Sequence, residues 1–210
     1  MTVLCHEKAF ELAHAHVAKW EGGYFDHPSD PGGVTMYGVS LMFLKGLGLV
    51  EGDIDGDCDI DRDDVLAITR ATARQIFRKH FWELPRAPQL PPLVAMAFYD
   101  LAVNAGAGRA AIVLQEGINV LCPYAIRKLA ANVGPLTRSY SNNLASMGRE
   151  ADLVYAYLDR REDWYRRLAK AKPKSAVFLK GWLNRTADCR KLIADTVQSL
   201  ARGAEAQGVA

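Results

Sequence analysis

Between Pro91-Pro92 and Gly106 the chain runs Leu-Val-Ala-Met-Ala-Phe-Tyr-Asp-Leu-Ala-Val-Asn-Ala, with Asp100 its only charged residue. Proline is at home in the first turn of a helix and glycine just past the last, so this stretch reads as a helix to about Asn104. A helix that is apolar on every side must be buried by other elements. It is also shorter than the roughly 20 residues a membrane span needs. The remaining sequence therefore has to supply a helical layer around it.

That layer is legible. Residues 4–21 place Leu4, Phe10, Leu12, Ala13, Val17 and Trp20 near helical spacing, and Gly22-Gly23 stop the run. Residues 24–39 carry turn chemistry (His27-Pro28-Ser29-Asp30-Pro31-Gly32-Gly33) followed by Val34-Thr35-Met36-Tyr37-Gly38-Val39, which reads as a loop and a β-like hairpin. Ser40 can cap a short helix through Leu47, and Thr69 one over about 69–83. Further helices are expected over 109–120, 148–171 and 175–202, with Pro173 as a break. The fold class that follows is mainly α, an α+β domain with one small hairpin and a helical C-terminal lobe. Its expected division is 1–104, 105–202 and an Ala/Gly-rich tail, 203–210.

Charge is distributed unevenly. Residues 51–64 hold eight acids and one base, whereas residues 65–210 hold 22 Lys/Arg against 11 Asp/Glu. A basic body favours a polyanionic partner, nucleic acid or an anionic cell wall. The Arg160-Arg161 and Arg166-Arg167 pairs read as a solvated helix face, so nucleic acid is not the expected partner. The first 20 residues carry too many charges for a secretory h-region. The expectation is synthesis in the cytoplasm without a signal peptide or membrane insertion, with any wall target reached after release. Cys5, Cys58, Cys122 and Cys189 stand singly, without metal spacing, and read as free and mostly buried thiols.

Chemistry concentrates after the first helix. Glu21 closes that helix at the negative end of its dipole, with Trp20 and Tyr24 as apolar neighbours, an address suited to an acid that must keep its proton. Gly22-Gly23 leave the backbone open to a sugar ring. Asp26 and Asp30 follow by five and nine residues, and Thr35 offers a hydroxyl. An acid facing a second carboxylate that holds a water is the inverting glycosidase arrangement. Asp26 reads rather as an Asx-turn residue, and Asp30 equally as one or the other.

These residues also resemble a known family. Trp20-Glu21-Gly22-Gly23-Tyr24 with Asp30-Pro31-Gly32-Gly33-Val34-Thr35-Met36-Tyr37-Gly38-Val39-Ser40 is similar to the signature of glycoside hydrolase family 108, the N-acetylmuramidases of phage-endolysin type. Phe81-Trp82, the segment Phe98–Gly106 and Gly181-Trp182-Leu183-Asn184-Arg185 resemble later motifs of that family in order. The resemblance implies a lysozyme-like fold, peptidoglycan glycan strands as substrate, and Glu21 as catalytic acid. Asp30 and Thr35 then place the water, Tyr24, Tyr37 and Asn104 bind substrate, and catalysis needs no cofactor. It also implies a peptidoglycan-binding-like C-terminal lobe, although Ala130-Ala131 stand where the family often has Asp-Gly. A lytic transglycosylase using the same glutamate, or a non-catalytic wall-binding or secretion-assisting protein, are the alternative functions.

The acidic loop has its own pattern. Asp53, Asp55, Asp57, Asp61 and Asp64 occupy positions 1, 3, 5, 9 and 12 of a calcium loop, with Asp59 at position 7 and Ile60 at the apolar position 8. Cys58 takes the place of the turn glycine. The loop reads either as a structural Ca2+ site or as a solvated acidic segment.

Overall fold

The computed structural model describes residues 4–26 and 33–208, with side chains through 203. The chain is mainly helical with a single two-stranded sheet among the described residues. The helices are α1 (His6–Trp20), α2 (Leu41–Leu47), α3 (Leu49–Gly52), α4 (Arg62–Ala67), α5 (Arg70–Phe77), α6 (Pro92–Ala105), α7 (Ala107–Leu121), α8 (Pro135–Ser146), α9 (Glu150–Ala171) and α10 (Leu179–Gly208). The strands are β1 (Thr35–Met36) and β2 (Val39–Ser40). Two compact units result, one of residues 1–16 with 80–210, the other of residues 17–79. The expected catalytic part, 1–104, is thus shared between them, and α10 runs on through 203–208.

In the larger unit α6 is the buried centre, with every side chain from Leu93 to Ala102 inside. Burying so continuous an apolar surface stabilises at roughly 25 cal/mol per Å2 removed from water. Phe10, Trp82 and Tyr99 meet edge-on or tilted, with ring centroids 5.4–5.8 Å apart. Pro91 offers no side-chain cap, and Glu150 at the start of α9 accepts the Leu93 N–H at 2.7 Å instead. Gly117 lets α7 and α9 approach, since a Cβ there would lie 3.1 Å from the Tyr157 nitrogen.

Asp100, the lone charge of α6, is buried between two arginines. Arg161 of α9 donates to Oδ2 at 2.5 Å and Arg185 of α10 to Oδ1 at 2.9 Å, with His16 Nε2 at 3.5 Å. Burial alone would push this carboxyl up, but Arg161 first, then His16 and Arg185, hold it well below the usual carboxylate range. Arg161 is 0 % exposed, so the solvated face expected for the Arg160-Arg161 pair is corrected at Arg161. Its partner lies 61 residues away, beyond the reach of local pattern.

In the smaller unit Val17, Val34, Val39, Leu44, Val65, Ile68, Ile76 and Phe77 are buried. Ser40 and Thr69 cap α2 and α5 as expected, accepting from Phe43 and Thr72 N–H groups at 3.2 and 3.0 Å. The helix expected over 69–83 changes winding instead: after α5 the turns Arg78–Glu83 are π-helical. The cysteines are free, but Cys5 and Cys58 are exposed and Cys122 half-buried, leaving only Cys189 inside. Cys5 precedes α1 and Cys58 sits at the acidic loop's tip, where no core is available to cover a thiol. Among the described residues, no helix is long and apolar enough to cross a membrane.

Candidate active site

Glu21 follows α1 directly, its N–H still donating to Val17 O at 3.2 Å. Gly22, at φ +65°, then takes the left-handed conformation that ends the helix. The chain pairs with the hairpin at once. Phe25 and Thr35 exchange two backbone hydrogen bonds at 2.9 and 2.8 Å, and the Tyr37 N–H donates to Gly23 O at 3.3 Å. Residues 23–25 thus lie against β1, which itself pairs with β2 in the register Thr35–Ser40 and Met36–Val39.

The hairpin turn faces Glu21. Tyr37 and Gly38 both have positive φ, +48° and +81°, as a tight two-residue turn between right-twisted strands requires. Gly38 is confined further by Glu21 itself: an added Cβ would lie 2.7 Å from Glu21 Cβ and 3.0 Å from Oε2. The half-buried glutamate therefore rests on bare backbone. Tyr37, a bulky residue in an unfavourable conformation, is covered by the Arg70 guanidinium, 4.9 Å above its ring.

Tyr24 is tied by its hydroxyl to the residues around it. Its exposed hydroxyl donates to Asp26 Oδ2 at 2.9 Å and accepts from Arg62 Nη2 at 2.6 Å, and Arg62 also reaches Asp26 at 3.1 Å. Arg62, the first residue of α4, was not singled out by sequence, since its partners lie 36 and 38 residues away. Thr35 Oγ1 donates to Gly33 O at 3.4 Å, a long bond that leaves the hydroxyl easily recruited. Thr35 on β1, Tyr37 in the hairpin turn, Tyr24 before the Phe25 bridge and Glu21 against Gly38 thus all belong to the hairpin region of the smaller unit. Asp30 lies outside the described residues. Asn104 belongs to the larger unit, where its Oδ1 accepts from the Tyr165 hydroxyl.

The acidic loop is tightly wound. Asp53 accepts the N–H groups of Gly56 and Cys58 at 2.7 and 3.0 Å, Asp55 that of Asp57, Asp57 that of Asp59, and Asp61 that of Asp63. Asp64 is fully buried, with Oδ1 accepting from Ile54 at 2.6 Å and Oδ2 from Asp61 at 2.7 Å. Those N–H groups outweigh the desolvation and hold its carboxyl below the usual range. Asp59 is pushed up chiefly by the charge of Asp57, and Asp55 by desolvation and then by Asp57 and Asp64. Cys58, at φ +75°, adopts the glycine conformation that position 6 of a calcium loop demands. The carboxylate oxygens form two groups, Asp53, Asp55 and Asp57, and Asp59, Asp61 and Asp64, each within 4.8 Å. An all-oxygen donor set of this kind fits a hard cation such as Ca2+.

Residues 14–106 match the family described as glycosyl hydrolase 108, and residues 110–187 that described as a predicted peptidoglycan domain. Among solved structures the chain is similar to one titled as that of Brucella abortus SagA. The two are 28 % identical, with a TM-score of 0.69, over 90 % of this chain and 95 % of that one. No curated protein matches.

Proposed function

Since the chain is a glycoside hydrolase of family 108 with a C-terminal domain of peptidoglycan-binding type, we propose that it is an N-acetylmuramidase with Glu21 as its general acid. The bond cleaved is the β-1,4 link from N-acetylmuramic acid to N-acetylglucosamine. Glu21 delivers its proton to the glycosidic oxygen as the C1–O bond breaks. A water held by Asp30 and Thr35 adds to C1 from the opposite face, and Asp30 takes its proton. Tyr24 and Tyr37, within the same unit as Glu21, contact the substrate.

The observation that carries this reading is the seat of Glu21 against Gly38, which leaves its carboxyl beside open backbone on the sheet that also bears Thr35. Asp53, Asp55, Asp57, Asp61 and Asp64, with the backbone carbonyl of Asp59, would hold a structural Ca2+ that offsets part of the loop's negative charge and takes no part in the reaction. The protein acts on wall in the periplasm after release from the cytoplasm, as an endolysin of prophage type does.

Product analysis of digested cell wall tests the proposal. The parent should yield fragments with a reducing muramic acid end, and Glu21→Gln should lose about 10²-fold or more in rate. Anhydro-muramic ends would assign a lytic transglycosylase instead. Equal digestion by the variant would remove Glu21 from the mechanism, and a parent that releases no fragments would leave the non-catalytic reading.

A further inference from the structure

Wholly inside the larger unit lies an open cavity of about 570 Å3. Its basic side chains are Arg86 and His80, and no acidic residue is among its described lining. Arg86 is exposed and held at φ +66°, a left-handed conformation that costs a non-glycine residue free energy and recurs at binding sites. His80 rides on the π-helical turns Arg78–Glu83, another local irregularity enriched at functional sites.

The opposite wall is the loop 131–135, and it is built rigidly. The buried Gln115 side chain donates to Ala130 O and Asn132 O at 2.9 and 3.0 Å and accepts from Ala130 N at 2.7 Å. Gly108 lets this loop come close, since a Cβ there would stand 3.1 Å from Ala131 Cβ. Asn142 Nδ2 donates to Gln89 O at 3.1 Å and Arg138 to Gln89 Oε1, which fixes α8 to the turn after Arg86. Two helix N-termini open onto the cavity, α7 at Ala107 and α8 at Gly134-Pro135, and neither has a side-chain cap. Their positive ends reinforce the guanidinium and the imidazole.

This polarity selects an anion. A neutral sugar is normally held by exposed aromatic planes and carboxylate acceptors, whereas this lining has no carboxylate and its one Phe, Tyr or Trp side chain, Phe98, is fully buried. In peptidoglycan the carboxylates are carried by the peptide arms. We propose that the Arg86–His80 cavity binds the carboxylate-bearing peptide arm of peptidoglycan. The inference rests on peptidoglycan being the substrate, not on the role of Glu21.

Binding is measured with the full chain as Glu21→Gln, so that no substrate is consumed. The probes are a disaccharide-tetrapeptide, the same fragment with its carboxylates amidated, and the disaccharide without peptide whose lactyl carboxyl is capped as an amide. The free-carboxylate fragment should bind at least about tenfold more tightly than the other two, the scale of one charge-assisted hydrogen bond. Adding Arg86→Asn, which tolerates the left-handed turn, should lower that affinity about tenfold with the melting temperature retained. Adding Asn132→Glu, a surface change on the opposite wall, should weaken it as well. Equal binding of all three fragments, or wild-type affinity in both variants, would overturn the inference. Failure of all three fragments and of intact sacculi to bind would sink the peptidoglycan reading too.

Discussion

Gly38 and Glu21 are packed so closely that the glutamate's own Cβ and carboxyl oxygen occupy the space a side chain at position 38 would need. With φ at +81°, the turn excludes other residues twice over, by backbone strain and by collision. Gly38→Ala should cost about 1–2 kcal/mol of stability from the backbone alone. Activity should fall further than stability does, because the Glu21 carboxyl must move. Turbidity clearance and thermal melts on the same preparation separate the two effects. A variant as active as the parent would show that the seat of Glu21 is catalytically irrelevant.

Arg62 ties Tyr24 and Asp26 to the end of the acidic loop. All three are exposed, so the cluster adds little to folding. Its effect should appear in substrate handling: Arg62→Ala is expected to lower kcat/KM roughly tenfold or more by releasing the segment after Glu21. The melting temperature should hardly change. Arg62→Lys, which keeps the charge but not the planar guanidinium, should recover only part of the loss. Unaltered kinetics in the alanine variant would assign the cluster to the surface alone.

Asp100 makes stability depend on acid. Its carboxyl titrates lower in the folded than in the unfolded chain, where the value is about 3.9. The stabilisation is therefore complete above roughly pH 4 and is lost as pH falls through the folded value. Asp100→Asn should destabilise by about 3–5 kcal/mol at neutral pH, because two buried guanidiniums lose their counter-charge. It should also flatten the pH dependence below 4. Denaturant unfolding at pH 7 and pH 3 measures both, and an unchanged slope in acid would locate the sensitivity elsewhere.

Much of this architecture was readable in advance, for reasons that differ by element. The central helix α6 announced itself because proline, glycine and an unbroken apolar run agree. The hairpin was visible in Gly33-Val34-Thr35-Met36-Tyr37-Gly38, and Glu21 stood out because Gly22-Gly23 follow it. The π-helical turns were hidden because Phe81-Trp82 continue an ordinary helical rhythm. Helix α8 went unnoticed because serines and asparagines fill it, and only three of its residues, Thr137, Ser141 and Leu144, are buried. The burial of Arg161 and the clamp by Arg62 depend on partners dozens of residues away, which spacing within one element cannot disclose.

Cys58 occupies a backbone conformation suited to glycine. Cys58→Gly should relieve about 1 kcal/mol of strain and raise the melting temperature without added metal. If the loop holds calcium, the ion should raise the melting temperature further, a chelator should reverse this, and Cys58→Gly should tighten binding. A melting curve indifferent to calcium in both proteins would make the loop a hydrogen-bonded turn and nothing more.

The buried ionic cluster has a practical corollary for anyone recombining such enzymes. Asp100 comes from the hydrolase segment, Arg161 and Arg185 from the peptidoglycan-domain segment. A chimera that swaps either half for one from another lineage inherits the wrong number of charges in its interior unless all three are transplanted together. The two segments are therefore joined through one buried charge cluster and are not independent cassettes.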